Sequence, residues 1–265
     1  MENLNNLTCR KLSSQFSIET GINISKSKVH KIIRHLGYRY LKSTIKNINI
    51  LSEENLVASF SFIKIIQRCL KLNIKLIFVD ETSILSTNNN YRIWRIPKQE
   101  IYVKIPKKER VNLIMGVSDN DVIHYSFNSE NTNEKIFGDF MLSLHEKIKE
   151  KGISSYAIIL DNLSSHKTKS LIKLYISKKI NIIFNSPYQS AFNAIELSFR
   201  SLKKFLYSKI FETMEKIIDE SINFINSSSF KITLKYNFKE TLEKYIDFSE
   251  KFKYMNLKNL KLKIY

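Results

Sequence analysis

The chain has 265 residues, enough to bury a sizeable core and to form one ordinary domain with a smaller one, or two modest domains. Two cysteines are too few for a disulfide framework or a thiolate metal site, and no apolar run approaches the roughly 20 residues that span a bilayer. Lysine and arginine outnumber aspartate and glutamate by 43 to 25, so the net charge of +18 favours a polyanionic partner such as nucleic acid; a lysine-rich surface without such a partner is the alternative.

The first predicted elements are two helices with a tight connection, in residues 7–40. Ser25 is placed to cap the second helix and Gly37 to end it. Apolar residues recur in this helix at the spacing of one apolar face: Val29, Ile32, Ile33 and Leu36. Basic and hydroxyl side chains fill the other positions, as in a helix-turn-helix whose second helix enters the major groove of DNA. The predicted DNA contacts are Ser25, Lys26, Ser27, Lys28, Lys31 and Arg34. A helical hairpin with a solvated lysine face is the alternative.

A polar linker and an amphipathic helix lead into a second region, where the hydrophobic period changes. The run Lys75–Val79 predicts a strand buried on both faces that ends at Asp80. Residues 91–105 and 111–127 predict three more strands, the last two joined by a hairpin turn at residues 118–121. A helix over residues 133–150 follows.

A second apolar run, Tyr156–Leu160, ends at Asp161 and is followed by a helix over residues 167–178. A third short run, Ile182–Phe184, predicts a buried strand, after which a proline-containing loop leads to a helix that carries Glu196. The chain beyond residue 212 is predicted to be helical. An antiparallel group of strands followed by alternating strands and helices predicts an α/β fold, a mixed sheet flanked by helices.

Three carboxylates are predicted to meet at one edge of this sheet. Asp80 and Asp161 each follow a central strand directly, and Glu196 lies near the start of the helix after the third strand. Carboxylates without cysteines or paired histidines suit a hard cation such as Mg²⁺ or Mn²⁺, and two such ions can promote in-line attack on a phosphodiester. Arg200 and Lys203 share the helix face of Glu196 and are predicted to receive a DNA backbone. Taken singly, each acid also fits a solvated position.

Three short motifs resemble those of the Tc1/mariner and IS630-type DDE transposases. The motifs are Val79-Asp80-Glu81-Thr82, then Leu160-Asp161-Asn162-Leu163-Ser164-Ser165-His166, then Ser186-Pro187-Tyr188 followed by Asn193-Ala194-Ile195-Glu196. The second and third acids are separated by 34 residues, 162–195, which is a typical spacing in Tc1-like members.

This resemblance implies a ribonuclease H-like fold and a DNA transposase that cleaves element ends and transfers strands into target DNA. Asp80, Asp161 and Glu196 would be the catalytic metal ligands for Mg²⁺ or Mn²⁺, with two ions expected. Asn162 and His166 would be neighbours of the site, and Trp94 falls where such proteins often carry tryptophan. The implied partner is double-stranded DNA, as terminal inverted repeats and target, bound by a homodimer. We expect an intracellular protein without a signal peptide or membrane segment, in a eukaryotic nucleus by preference or otherwise in the bacterial cytoplasm or nucleoid.

The expected domains are a single helix-turn-helix domain at residues 1–45, a linker and connecting helix at 46–73, a catalytic domain at 74–211 and a basic helical extension at 212–265. Two departures from the family pattern stand out. Ala194 replaces a usual proline, and the family usually has two helix-turn-helix units. These departures favour, as an alternative function, a decayed or domesticated DNA-binding protein without cleavage activity; a host nuclease of the same fold is a third hypothesis.

Overall fold

The computed structural model describes residues 8–38, 52–86, 108–209 and 211–262, with side chains described up to residue 252. The strand predicted over residues 91–105, Trp94 and most of the predicted linker lie outside the described residues. The chain divides into two compact units, Met1–Lys46 and Asn47–Tyr265. Among the described helices, none has the length and apolar character needed to cross a lipid bilayer.

In the first unit, residues 8–38 form two helices, α1 (Cys9–Thr20) and α2 (Lys26–His35). Helix α1 ends at Gly21, whose φ of +69° lies in the left-handed region that glycine adopts without a steric penalty. Helix α2 begins as predicted, because the Ser25 hydroxyl accepts a hydrogen bond from the backbone N–H of Lys28 at 3.3 Å. Gly37 follows its end with φ of +88°.

The predicted apolar face of α2 is only partly buried. Val29 is 7% exposed, whereas Ile32 is 43% exposed and Leu36 is 65% exposed. Periodicity identifies side chains that share a face, but the packing neighbour decides how much of that face is covered. The apolar face is thus covered at Val29 and open at Ile32 and Leu36.

The second unit is built on one mixed sheet of five strands in the order β3-β2-β1-β4-β5. The strands are β1 (Lys75–Leu85), β2 (Arg110–Val117), β3 (Val122–Asn128), β4 (Tyr156–Leu160) and β5 (Ile182–Phe184). Strand β2 is antiparallel to both β1 and β3, whereas β1, β4 and β5 run parallel. The predicted mixed sheet and its hairpin turn are confirmed.

Strand β1 is longer than predicted and does not end at Asp80. Its parallel pairing with β4 extends to Phe78 opposite Ile159, but its antiparallel pairing with β2 continues to Leu85 opposite Arg110. The residues after Val79 are mostly polar, so the apolar run that predicted the strand stopped there. Strand β2 nevertheless supplies backbone partners for these residues as far as Leu85. Asp80 therefore lies within β1, just beyond the point where β4 stops pairing with it.

The described residues of the second unit also form six α-helices. They are α3 (Glu53–Lys71), α4 (Glu134–Glu150), α5 (Lys169–Ser177), α6 (Ala194–Leu206), α7 (Met214–Ile225) and α8 (Ser228–Leu262). Alternate residues of β1 point to opposite sides of the sheet. Phe78 joins an apolar cluster formed with α3, α6, α7 and α8, and Val79 joins another formed with α4 and α5. The sheet is thus covered by helices on both faces.

Helix α6 docks on the sheet through the predicted stripe, in which Ile195 and Leu202 are fully buried and Phe199 is 3% exposed. This packing fixes the third residue of the helix, Glu196, at the border of the apolar face. By contrast, the three residues of β5, at the edge of the sheet, are only partly buried, so the strand predicted there is present but less buried than expected.

Candidate active site

The first acid, Asp80, has hydrogen-bond donors on both carboxylate oxygens. Its Oδ1 accepts the backbone N–H of Glu81 at 2.8 Å. Its Oδ2 accepts the side-chain amide of Asn193 at 2.9 Å, from the residue that precedes α6. These two bonds fix the plane of the carboxylate between β1 and α6.

Burial raises the pKa of Asp80 to about 8. The backbone N–H of Glu81 opposes this shift, whereas the negative charges of Asp161, Glu196 and Glu81 add to it. All three predicted acids are therefore close enough to influence one another electrostatically. A bound cation would favour the ionised carboxylate and displace its proton.

The second acid, Asp161, directly follows β4 and is held by a buried histidine. His166, only 3% exposed, lies in a short 3₁₀ turn and donates from Nδ1 to Asp161 Oδ1 at 2.7 Å. Its Nε2 lies 3.2 Å from Oε1 of Glu81 on β1. The ring of Phe137 stacks on the imidazole with 4.2 Å between centroids. One imidazole thus links Asp161, which directly follows β4, to Glu81 on the neighbouring strand β1.

The environment of His166 favours its protonated form. Burial opposes the charge, but hydrogen bonds with Asp161 and Glu81, and the charges of these two carboxylates, raise the pKa of His166 to about 9. The imidazolium is therefore a fixed cation beside the acids at neutral pH.

The third acid, Glu196, retains solvent exposure, yet partial burial of its carboxyl group raises its pKa. Lys203 and Arg200 oppose this shift, and Asp161 adds to it. Burial lowers the pKa of Lys203, against the attraction of Glu196. The two cations predicted to receive a DNA backbone thus lie on the same side of α6 as the third acid.

The other predicted site residues have clear positions. Asn162 accepts a hydrogen bond from the ammonium group of Lys167, which also lies 4.6 Å from the ring centroid of Phe184. In the first unit, the predicted DNA contacts are all solvent-exposed: Ser25, Lys26, Ser27, Lys28, Lys31 and Arg34.

Two residues of the site, Glu81 and Asn193, were not among the predicted site residues. Glu81 is adjacent to Asp80, and Asn193 is the residue before the helix of Glu196, so both lie inside the motifs themselves. Their contacts join positions 85 and 113 residues apart in sequence, and a single sequence contains no signal for such pairings.

The donor set fits a divalent cation. Its carboxylates are oxygen ligands of the kind that Mg²⁺ and Mn²⁺ prefer. The amide Oδ1 of Asn193 is buried without a hydrogen-bond partner, next to Asp80. Among the described residues, no three acidic, histidine or cysteine side chains come close enough together to hold an ion.

Sequence comparison assigns the chain to a family. The model of the DDE superfamily endonuclease family matches residues 75–218, from the start of β1 into α7, and the chain belongs to this family. No curated protein sequence matches the chain significantly. The matched segment contains all three predicted acids, which lie on β1, after β4 and on α6.

Solved structures of Mos1 transposase have the same fold. A Mos1 paired-end complex with the left transposon end gives a TM-score of 0.73 at 14% identity, covering 93% of this chain and 74% of that chain. A mariner Mos1 paired-end complex with Mg gives 0.72 at 15% identity, with coverage of 93% and 74%. The Mos1 catalytic domain gives 0.60 at 12% identity, with coverage of 80% and 98%. The predicted ribonuclease H-like fold is therefore confirmed, and the likeness to a mariner transposase is a likeness of fold.

Proposed function

We propose that the chain is a transposase that cleaves DNA at the ends of a mobile element and joins those ends to target DNA. The observation that carries this proposal is the placement of three acids on adjoining elements: Asp80 lies in β1, Asp161 directly follows the neighbouring strand β4, and Glu196 lies in the first turn of α6. Membership of an endonuclease family and the fold of a mariner transposase support it.

Asp80, Asp161 and Glu196 would hold Mg²⁺ or Mn²⁺, two ions in the full assembly. Bound ions of this kind supply an activated water or 3′-hydroxyl and stabilise the leaving oxygen. The solved complexes of Mos1 with Mn and with Mg support this choice of metal. The chain's own residues orient the ligands: His166 restrains one oxygen of Asp161, and Asn193 restrains one oxygen of Asp80.

The DNA partner is proposed from charge and exposure. Helix α2 presents its lysines and hydroxyls to solvent in the first unit, and Arg200 and Lys203 lie beside the third acid in the second. Terminal inverted repeats and target DNA are the expected ligands, bound by two copies of the chain because two ends must be joined. The Mos1 complexes with transposon ends support this assignment. Such a protein would act where the DNA is, in a nucleus or a bacterial nucleoid.

The decisive test is Asp161→Ala assayed on a duplex that carries the terminal inverted repeat. We expect Mg²⁺-dependent nicking to fall by more than about 1,000-fold, because several kcal/mol of transition-state stabilisation is lost with a metal ligand. Binding of the same duplex, measured by mobility shift, should survive. Asp219→Ala, which removes an exposed acid from α7, is the matched control and should nick normally. Equal nicking by Asp161→Ala and the unaltered chain would refute the proposal.

A second candidate function is DNA binding without cleavage. It is favoured by Ala194, which occupies the first position of α6 where the family usually has proline. Proline would restrict the backbone there, although α6 begins at this position without it. Metal-dependent strand cleavage by the purified chain would exclude this candidate, and a footprint confined to inverted repeats would exclude a general nuclease.

A further inference from the structure

Asn193 connects two of the three acids. Its side-chain amide donates to Asp80 Oδ2 at 2.9 Å, and its backbone carbonyl accepts the N–H of Glu196 at 3.2 Å. The residue is only 2% exposed and lies between a short 3₁₀ turn and α6. The orientation of the Asp80 carboxylate is therefore coupled to the start of the helix that carries Glu196.

The side chain of Asn193 does not serve as a helix cap. Asparagine before a helix commonly accepts a backbone N–H of the first turn with its side-chain oxygen, but no such bond forms here. Instead Oδ1 is one of two buried side-chain atoms without a hydrogen-bond partner in the described part of the chain, the other being Oγ of Ser249. An unpaired buried carbonyl oxygen costs roughly 1–3 kcal/mol, so its retention beside an acid points to a ligand.

The turn that contains Asn193 is supported from behind by α8. The hydroxyl of Tyr245 donates to the carbonyl of Phe192 at 2.6 Å, in a buried position. The Phe192 ring lies edge-on to the rings of Tyr245 and Phe248, each with 5.3 Å between centroids. The backbone N–H of Asn193 is also held, at 2.9 Å from the carbonyl of Ser190. The backbone of Asn193 is thus fixed independently of its contact with Asp80.

We propose that Asn193 is a positioning residue for the divalent cation of the active site. It fixes Asp80 relative to α6. Its amide oxygen would coordinate the ion, or accept a hydrogen bond from a water bound to the ion, as amide carbonyl oxygens do at Mg²⁺ sites. This inference rests on the proposed function, since it concerns the same site. Tyr245 supports the turn and acts on the cation only through Asn193.

The test is the affinity of the full chain for Mn²⁺ without DNA, measured from the spectroscopic signal of the free ion. We expect Asn193→Ala to weaken Mn²⁺ binding by about 10- to 100-fold, the usual effect of removing a partner of a metal ligand. Tyr245→Phe, which removes only the hydroxyl group that restrains the turn, should give a smaller loss in the same direction.

Ser198→Ala is the matched control. Ser198 is a fully buried α6 residue whose hydroxyl accepts the amide of Asn237 from α8 at 3.1 Å, so its loss also weakens the contact between these helices. Among the described residues, no hydrogen bond joins Ser198 to any of the three acids. We expect a lower melting temperature but Mn²⁺ affinity within about twofold of the unaltered chain, since each lost buried bond costs roughly 1 kcal/mol of folding free energy.

The outcomes separate this inference from the proposed function. Unchanged Mn²⁺ affinity in Asn193→Ala, or an equal loss in Ser198→Ala, would overturn the role of Asn193 even if the chain nicks DNA. Failure of the unaltered chain to bind Mn²⁺ would overturn it as well. If the unaltered chain binds Mn²⁺ and Asn193→Ala does not, but neither nicks DNA, the positioning role of Asn193 is supported and the proposed transposase function is refuted.

Discussion

At the scale of single residues, His166 lies between carboxylates from two neighbouring parts of the sheet. Both ring nitrogens are within hydrogen-bond distance of an acid, at 2.7 Å from Asp161 and 3.2 Å from Glu81. Only the imidazolium form can donate from both nitrogens, so the pair of contacts selects the charged ring. The result is a cation that offsets part of the negative charge of the site and leaves Asp161 Oδ2 available for a ligand.

Replacing Glu81 by glutamine tests this arrangement. The amide keeps the size of the side chain but removes the charge that stabilises the imidazolium, so Asp161 should be held less firmly. We expect the rate of Mg²⁺-dependent nicking to fall by about 10- to 100-fold with unchanged affinity for DNA. Glu134→Gln, at an exposed position in the first turn of α4, is the control. A normal nicking rate in Glu81→Gln would show that the contact of His166 with Asp161 suffices.

At the scale of elements, β2 approaches its neighbours closely at Gly116. A Cβ atom there would lie 3.1 Å from Cδ1 of Leu144 on α4 and 3.3 Å from Cγ2 of Val79, the residue before Asp80. Gly138 on α4 differs, because its added Cβ would meet Leu171 Cδ2 at 3.4 Å, an ordinary van der Waals distance. An added methyl group would therefore press on two side chains at the first glycine and on none at the second.

The two glycines should respond to alanine in opposite directions. We expect Gly116→Ala to lower the free energy of unfolding by about 1–3 kcal/mol through overpacking. Gly138→Ala should raise it by about 0.5–1 kcal/mol, because glycine in a helix interior is less favourable than alanine. Urea unfolding followed by circular dichroism measures both changes. A stabilised Gly116→Ala variant would show that Leu144 relaxes freely and that the contact is not restrictive.

Sequence patterns predicted most of these elements because local features determine them. The apolar runs of β1 and β4, the Ser25 cap and the stripe of α6 each depend on neighbouring residues alone. The extension of β1 to Leu85, the partial burial of β5 and the exposure of Leu36 depend on what packs beside them. The acids were predicted for the same local reason, since they follow apolar runs, whereas the contacts made by Glu81 and Asn193 require the folded chain.

At the scale of the whole molecule, the pKa values of three histidines are shifted in different directions, and these shifts make the stability of the chain depend on pH. Burial lowers the pKa of His145, with Lys149 adding to the effect, and burial likewise lowers the pKa of His124. His145 lies 2.6 Å from the hydroxyl of Tyr156 through Nδ1, in the core on the α4 side of the sheet. His166 has a raised pKa of about 9. The folded chain therefore resists protonation at two histidines and favours it at one.

The sign of each shift predicts that stability is greatest near pH 6.5, the ordinary pKa of histidine. Below 6.5, the ordinary histidine value, the unfolded chain takes up protons that folded His145 and His124 exclude, so stability falls. The contribution of His166 is complete below 6.5 and is lost progressively as the pH rises to about 9. The buried carboxyl of Asp80, whose pKa is raised to about 8, lowers stability further as the pH rises toward that value. Thermal unfolding on both sides of pH 6.5 measures both limbs. His145→Gln should flatten the acidic limb, and an unchanged acidic slope in that variant would contradict the assignment.

The long helix α8 begins ten residues beyond the end of the family match at residue 218, yet it supplies part of the same core. Phe230 and Leu234 are fully buried, and Phe238 packs edge-on against Phe78 of β1 with 5.1 Å between ring centroids. The segment that the family model matches is thus shorter than the segment that builds this core. A fragment limited to residues 75–218 would lack α8 and would expose to water the face of the sheet that carries Phe78. We expect such a fragment to aggregate.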